Sequence, residues 1–269
     1  RNNGVNIAFV SGNTLYWKTR WEDNFQTLVC YKEGTQGIYT CGTKCDPVSN
    51  VWTGLWRDGC LPAYGTHDGC KPEGPFLAQM GWTESTGSIK VPDTYKNLRF
   101  WKNTSIAALG SGQTATLPLG TLGAEWDQEQ FVELLPARRI PLSFTTFTGL
   151  NHRMYLYRHD NSGALVFSAG TMQWCWGLDD NHDNPSLPPS LAMQQATVNL
   201  LFDMGATAET LQQFVVAPSA STDVLPPSTT IVNPIHTSTV PGSPITISGT
   251  AADNGGGAVG GVEVSTDNG

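Results

Sequence analysis

The first 31 residues contain two short apolar runs that predict β-strands, with an aromatic segment between them. Residues 4–12 form an apolar run bounded by glycines, which is typical of a buried strand in a mainly parallel sheet. Residues 27–31 form the second run. Ligands of open α/β sheets bind just outside the carboxyl ends of the strands. Residues 13–17 (Asn-Thr-Leu-Tyr-Trp) follow the first strand directly, so we expect them at a ligand-binding edge of the sheet.

A second pair of apolar runs predicts a β-hairpin. Residues 152–158 and 164–168 flank the sequence Asp-Asn-Ser-Gly at 160–163, which has the composition of a tight turn. Shortly afterwards, residues 174–176 (Trp-Cys-Trp) alternate in a way that predicts both indoles on one face of a sheet. We therefore expect this part of the chain to belong to the core.

One helix is predicted between a pair of prolines and a glycine. Pro188 and Pro189 suit a first helical turn, and Gly205 suits the position just after a helix. Apolar residues recur on one helical face at Met193, Ala196, Leu200 and Met204. We expect that face to pack on the sheet.

The periodic pattern is interrupted by an insertion between the first two predicted strands and the predicted hairpin. Residues 32–75 are rich in Gly, Cys and Trp, and they show neither a helical nor a strand period. Four cysteines lie inside the insertion, at Cys41, Cys45, Cys60 and Cys70, and Cys30 lies at its edge. Disulfide bonds of open connectivity are expected to stabilise it in place of a core. A zinc site that includes His67 is the alternative, although the spacings are not the usual paired ones.

The last part of the chain has the pattern of a separate β-domain. Residues 217–228 are rich in Pro, Ser and Thr and predict a linker. Short alternating runs at residues 229–232, 245–250 and 261–265 then lie between Pro and Gly turns, as in a β-sandwich. These runs resemble bacterial immunoglobulin-like repeats, so residues 229–269 are expected to be the start of an immunoglobulin-like domain.

Composition narrows the class of protein. Hydrophobic residues make up 39% and charged residues 14%, which indicates a folded chain, and no apolar run approaches the roughly eighteen residues of a membrane-spanning helix. The net charge of −8 argues against a nucleic-acid partner, because no basic stripe is present to neutralise phosphates. Six cysteines, 29 glycines and low charge suit an oxidising compartment, so we expect a secreted or cell-surface protein. Because the chain begins at Arg1 and ends in a turn sequence, we expect further protein on both sides.

Three segments, in this order, resemble the C-terminal domain of the N,N-dimethylformamidase large (beta) subunit and its relatives. They are residues 4–21, residues 122–127 (Leu-Gly-Ala-Glu-Trp-Asp) and residues 163–183, the last followed by the predicted helix. The resemblance extends over residues 1–216, within which the Cys-rich insertion at residues 32–75 departs from the simple family pattern. It implies an α/β fold with a glutamine-amidotransferase-like doubly wound sheet, of which this chain would hold the latter part.

The resemblance also implies a metal site and an activity. A mononuclear iron is held in dimethylformamidase by two tyrosines and one glutamate; Tyr16 matches one tyrosine and Glu125 matches the glutamate. The other tyrosine is expected before Arg1, and Asn151 matches a catalytic polar residue of the same pocket. Phenolate and carboxylate are hard oxygen ligands that favour ferric iron. Because such an ion polarises a carbonyl and activates water, the implied reaction is hydrolysis of an amide C–N bond.

Each of these positions also allows a purely structural role. Tyr16 and Trp17 would then be ordinary aromatic packing, and Glu125 would lie in a surface turn. Asn151 would mark the entry to a strand. We expect His152 to bond a backbone carbonyl rather than a metal.

A short acidic motif resembles the beginning of a calcium-binding loop. Asp179, Asn181 and Asp183 have the spacing of such a loop. However, Asn184 stands in place of the required glycine and Ser190 in place of the required glutamate. The sequence therefore predicts a solvated acidic loop.

Two functions follow from the sequence. The first is an iron-dependent hydrolase that acts on a small amide-like substrate. The alternative is a non-catalytic extracellular adhesion or binding protein, which carries immunoglobulin-like repeats and binds a surface ligand. A tyrosine motif upstream of Arg1, at the end of a predicted strand, would favour the enzyme.

Overall fold

The computed structural model describes most of the chain outside the Cys-rich insertion. The described residues are 1–32, 46–48, 51, 53–54, 83–129, 135–183, 187–234, 242 and 244–265. The predictions of disulfide bonds or zinc at Cys41, Cys45, Cys60 and Cys70 lie outside these residues.

The described residues form short strands and one α-helix. They are β1 (Ile7–Phe9), β2 (Arg20–Glu22), β3 (Thr27–Val29), β4 (Thr83–Glu84), β5 (Lys90–Pro92), β6 (Thr114–Thr116), β7 (Glu125–Trp126), β8 (Ile140–Pro141), β9 (Thr145–Phe147), β10 (Leu150–His152), β11 (Tyr155–Arg158), β12 (Leu165–Ser168), α1 (Leu191–Asp203), β13 (Ser228–Asn233) and β14 (Ser248–Ala252). Four 3-10 helices lie between them, at Asp93–Tyr95, Arg99–Trp101, Ser105–Ala108 and Cys175–Gly177. The architecture of the described part is therefore mixed and rich in small sheets.

The main sheet has four strands in the order β1-β12-β11-β8. β1 runs parallel to β12, with Ile7 opposite Val166, whereas β11 is antiparallel to both of its neighbours. This confirms the predicted strand near the amino end and the predicted hairpin. The expectation of a mainly parallel sheet is wrong for this sheet, because only one of its three strand pairs is parallel. The doubly wound amidotransferase-like arrangement stays a prediction.

The larger of the two hydrophobic clusters among the described residues lies beside the main sheet and has aromatic residues at its centre. Phe100 stacks on Phe167 with a centroid distance of 5.5 Å, and Trp174 lies 6.1 Å from Phe167 in an edge-on arrangement. Met193, Ala196 and Leu200 of α1 are buried in this cluster, so the predicted packing face of the helix is confirmed.

Both ends of α1 have identifiable caps. Ser190 precedes the helix, and its hydroxyl accepts a hydrogen bond from the Met193 amide at 3.4 Å. Pro188 and Pro189 therefore lie before the cap and not in the first turn as the sequence predicted. Gly205 has a φ of 88°, which confirms its predicted role just after the helix.

Two buried amides connect α1 to its surroundings. Asn199 donates to the carbonyl oxygens of Phe100 at 3.1 Å and Lys102 at 2.7 Å. Gln195 donates to the Asn199 side chain at 3.0 Å and exchanges two hydrogen bonds with the backbone of Val216, at 2.9 and 2.7 Å. Because buried polar groups are costly unless paired, this network fixes the helix in one position on the core.

The Trp-Cys-Trp segment differs from the sequence prediction. It forms the 3-10 helix Cys175–Gly177 instead of a strand. Trp174 is buried in the core, whereas Trp176 stacks on His182 with a centroid distance of 4.9 Å. The two indoles therefore do not share a sheet face.

The C-terminal strands form one exposed antiparallel pair. β13 pairs with β14, which confirms two of the three predicted strands, and every residue of β13 is exposed. Residues 261–265 are not a strand. Glu263 instead accepts hydrogen bonds from the Arg138 amide through both carboxylate oxygens at 2.8 Å. The immunoglobulin-like domain stays a prediction.

The described helices are all too short or too polar to cross a membrane. This agrees with the sequence, in which no apolar run has the required length.

Candidate functional site

A tight loop follows β1 and contacts strand β7. Asn13 donates from Nδ2 to Glu125 Oε2 at 2.6 Å, and its backbone amide donates to Asp127 Oδ1 at 3.2 Å. Asn13 and Leu15 both have positive φ angles, 52° and 57°, which turn the backbone sharply. Residues 11–17, here called the β1 loop, are therefore attached to the strand that carries Glu125.

Strand β7 presents its two side chains to opposite sides. Trp126 is fully buried, and Glu125 is half-buried and bonded to the β1 loop. The strand is fixed by its pairing with β4, in which Glu84 lies opposite Glu125, and by a bridge from Trp126 to Thr171. Because side chains alternate along a strand, the burial of Trp126 determines the direction of Glu125.

Gly12 allows the close approach of the β1 loop to β7. A Cβ atom at Gly12 would lie 2.9 Å from the carbonyl oxygen of Glu125 and 3.3 Å from the amide nitrogen of Met172. Both of these atoms belong to the backbone, so they cannot move aside as the tip of a side chain can.

We expect Gly12→Val to push the β1 loop away from β7 and to lower the free energy of unfolding by about 1–3 kcal/mol, the usual cost of overpacking. Urea denaturation measures this loss. Gly110→Val is the matched control, because the atoms near a Cβ at Gly110 belong to the flexible Gln113 side chain. Equal losses in the two variants would contradict the close packing of Gly12.

Tyr16 lies in the β1 loop and is half-buried. Its ring packs edge-on against Trp17 with a centroid distance of 5.0 Å. The structure thus shows the aromatic packing of the structural alternative, and it also attaches the loop of Tyr16 to Glu125 through Asn13. The ligand roles of Tyr16 and Glu125 stay predictions.

Asn151 lies on β10 and is exposed. Its Oδ1 accepts a hydrogen bond from the Thr146 hydroxyl at 2.9 Å, across the β9–β10 pair. Its backbone carbonyl accepts from the Glu129 amide at 2.7 Å, which places β10 next to the segment that follows β7. The Asn151 side chain thus bonds Thr146 rather than Glu125. The catalytic role of Asn151 stays a prediction.

His152 is a core residue. It is fully buried, and Nε2 donates to the Ala169 carbonyl oxygen at 3.0 Å, which confirms the bond predicted from the sequence. The ring lies edge-on to Trp126 with a centroid distance of 5.9 Å. Burial lowers the pKa of His152 to about 4, because the charged imidazolium is poorly solvated there.

A pair formed by the buried phenol of Tyr155 and the half-buried carboxylate of Glu129 lies close to β10 and was not predicted from the sequence. Tyr155 donates from its hydroxyl to Glu129 Oε1 at 2.7 Å, and Arg153 forms an ion pair with the same carboxylate. Arg139 lies over the Tyr155 ring at 5.0 Å. Burial, followed by the bond to Glu129, raises the pKa of Tyr155 to about 12, so this phenol stays protonated at neutral pH.

The chemistry of the β1 loop fits a hard cation. The described residues contain no cluster of three or more His, Cys, Asp or Glu side chains, so a metal here would need other oxygen ligands. Asn13 Oδ1 and Thr14 Oγ1 are buried without hydrogen-bond partners, in the same loop as Tyr16. Together with the Glu125 carboxylate these groups offer oxygen donors only, which is the donor type that ferric iron prefers.

The acidic motif near residue 180 is solvated, as predicted. Asp179, Asn181 and Asp183 are all exposed. Asp179 Oδ1 accepts a hydrogen bond from the Asn181 amide at 2.9 Å, which closes a local turn.

Two of the six cysteines lie in described parts of the chain, and both are free thiols. Cys30 is half-buried, with its sulfur 3.9 Å from the Lys18 carbonyl oxygen, and Cys175 is exposed. The expectation that Cys30 takes part in a disulfide is therefore wrong in this structure.

A cleft of about 610 Å³ lies elsewhere in the molecule. Its lining includes Arg99, Tyr157, Asp203, Asp223 and Gly257. Arg99 is already paired with Asp203, and none of the predicted site residues lines the cleft. The predicted site is therefore not in this cleft.

The fold and the loop–strand contact define a mixed, sheet-rich domain with oxygen donors at the end of a sheet strand. The family model described as N,N-dimethylformamidase beta subunit-like, C-terminal, matches residues 1–185. The chain belongs to this family. A comparison with curated proteins finds no significant match.

Proposed function

We propose that this domain is an iron-dependent amide hydrolase, in which Tyr16 and Glu125 hold ferric iron and a small amide is cleaved at its C–N bond. The hydrogen bond from Asn13 to Glu125 carries the proposal, because it attaches the loop of the candidate tyrosine to the candidate glutamate across 112 sequence positions. Family membership supports the same chemistry. A second tyrosine ligand, upstream of Arg1, completes the proposed site.

The residues of this chain bind and orient the reactants. Bound ferric iron supplies Lewis acidity toward an amide carbonyl and a water molecule. Glu125 and Tyr16 provide anionic oxygen ligands, and the half-buried position of Glu125 limits access of bulk water to the carboxylate. Asn151, exposed on β10, offers an amide that orients the substrate by hydrogen bonding.

Iron content and visible absorption of the full-length protein test this proposal. We expect near-stoichiometric iron with a tyrosinate charge-transfer band in the wild type. Tyr16→Phe should remove the phenolate and its share of the band. Glu125→Gln should weaken iron binding at least ~10-fold, because it removes a ligand charge.

Matched controls separate ligand loss from general damage. Glu84→Gln changes the exposed residue directly opposite Glu125 in the β4–β7 pair. Tyr31→Phe changes a tyrosine that is 37% exposed. Both controls should keep iron and colour. Folded, colourless and iron-free wild-type protein would refute the proposal, whereas an iron-loaded protein justifies measuring amine release from small amides.

The alternative is an extracellular adhesion or binding protein, and the exposed apolar side chains of the C-terminal strands favour it. Ile231 is 63% exposed and Val232 is 55% exposed, and because adjacent residues of β13 point to opposite faces, both faces of the strand carry an exposed apolar side chain. Exposed apolar patches mark interaction surfaces. In this proposal the protein is secreted or held at the cell surface, and cell fractionation with an antibody to the chain tests that location.

A further inference from the structure

Asn13 makes contacts that a simple turn residue does not need. Its side-chain amide donates to Glu125 Oε2, and its backbone amide donates to Asp127 Oδ1. Glu125 and Asp127 lie two positions apart and therefore on the same side of the extended segment. Asn13 therefore bonds two carboxylates, that of Glu125 in β7 and that of Asp127 just after the strand.

The backbone of Asn13 is held in an unfavourable conformation. Its φ angle of 52° lies in the left-handed region, which asparagine tolerates better than most residues and glycine adopts freely. Strained residues of this kind persist where the surrounding contacts fix them, and they concentrate at functional sites. For Asn13 these contacts are the bonds to Glu125 and Asp127.

The amide of Asn13 is only half used. Nδ2 bonds Glu125, but Oδ1 of the same amide is buried without a hydrogen-bond partner. A buried amide oxygen without a partner is unfavourable, and more so next to a carboxylate. A cation or a hydrogen-bond donor that contacts both groups would remove this cost. Among the ion pairs of the described residues none includes Glu125, so no Lys or Arg side chain in that part of the chain fills this role.

We infer that Asn13 is a positioning residue, which orients the Glu125 carboxylate for a bound cation. Nδ2 holds Oε2 and leaves Oε1 available as the ligand atom. This inference rests on the proposed function, since it assigns a role at the same iron site. It adds a residue outside the proposed ligand set, and it explains why the loop contains asparagine where glycine would fit the backbone more easily.

Substitution of Asn13 by glycine separates positioning from backbone conformation. Asn13→Gly keeps access to the left-handed conformation but removes the amide that holds Glu125. Asn13→Asp keeps the size of the side chain but replaces the donor with an oxygen that repels the carboxylate. We expect both variants to bind iron ~10–100-fold more weakly than the wild type, as is usual for groups that orient metal ligands.

The measurement is iron affinity of the full-length protein by competition with a chelator, with the charge-transfer band as a second readout. Leu15→Gly is the matched control, because Leu15 has a similar positive φ in the same loop and is 42% exposed. It should bind iron like the wild type. Wild-type affinity in Asn13→Gly would overturn the inference while leaving the proposed function intact. A wild type that binds no iron would overturn the proposed function itself, and the positioning role with it.

Discussion

Trp126→Ala is expected to lower the free energy of unfolding by about 3–5 kcal/mol, the usual cost of removing a large aromatic side chain from a core. Trp126 is fully buried, and its Nε1 donates to the Ser85 hydroxyl at 2.9 Å. The substitution leaves a cavity beside His152, whose ring lies edge-on to the indole. Because the burial of Trp126 determines the direction of Glu125, the same change should also displace the Glu125 carboxylate.

Urea denaturation followed by circular dichroism measures the loss caused by Trp126→Ala. Trp21→Ala is the matched control, since Trp21 is 54% exposed and contacts Phe25 with a centroid distance of 6.4 Å. We expect the control to cost less than about 1 kcal/mol. Similar losses in the two variants would show that Trp126 does not support the core as the structure indicates.

Acid is expected to destabilise the domain through His152. The pKa of this residue is about 4 in the folded protein and near 6.5 in an unfolded chain. Between these values the unfolded chain binds a proton that the folded chain does not, so stability falls as the pH drops from about 6.5 to about 4. The full change corresponds to about 3 kcal/mol, and well above pH 6.5, where the imidazole is neutral in both states, the residue contributes no pH dependence.

The unfolding free energy at pH 7.5 and pH 4.5 tests the role of His152. His152→Asn should reduce the difference between the two pH values, even if the variant is less stable at both. His159→Asn, which changes a half-buried histidine at the hairpin turn, should leave the difference in place. An imidazole titration by NMR provides a direct check, and a His152 resonance that titrates near pH 6.5 would refute this prediction.

Local patterns of the sequence predicted the elements whose periodicity is strong. The run at residues 4–12 contains β1, the runs at 152–158 and 164–168 contain the β11–β12 hairpin, and the apolar face of α1 was identified residue by residue. Each of these predictions depends on neighbours within one element. The segment at residues 174–176 was mistaken for a strand, because three residues are too few to distinguish a period of two from a period of three.

The candidate site was only partly visible in the sequence. Tyr16 and Glu125 came from a family resemblance, and the structure attaches their segments through Asn13. That contact joins positions 112 residues apart, so no local pattern signals it. The only local sign was the residue type, because asparagine between Gly12 and Thr14 suits a left-handed turn. The pairing of Glu129 with Tyr155 was missed for the same reason.

The polar network of α1 shows that the folded domain extends beyond the part of the chain that matches the family. The match ends at residue 185. Beyond that point, Asn199 donates hydrogen bonds to two carbonyl groups of the turn at residues 100–102, and Gln195 accepts one from the Val216 amide. A recombinant fragment cut at the boundary of the match would therefore expose the aromatic cluster and leave those carbonyls unpaired. Truncations for crystallography or assay should keep the chain at least through Val216.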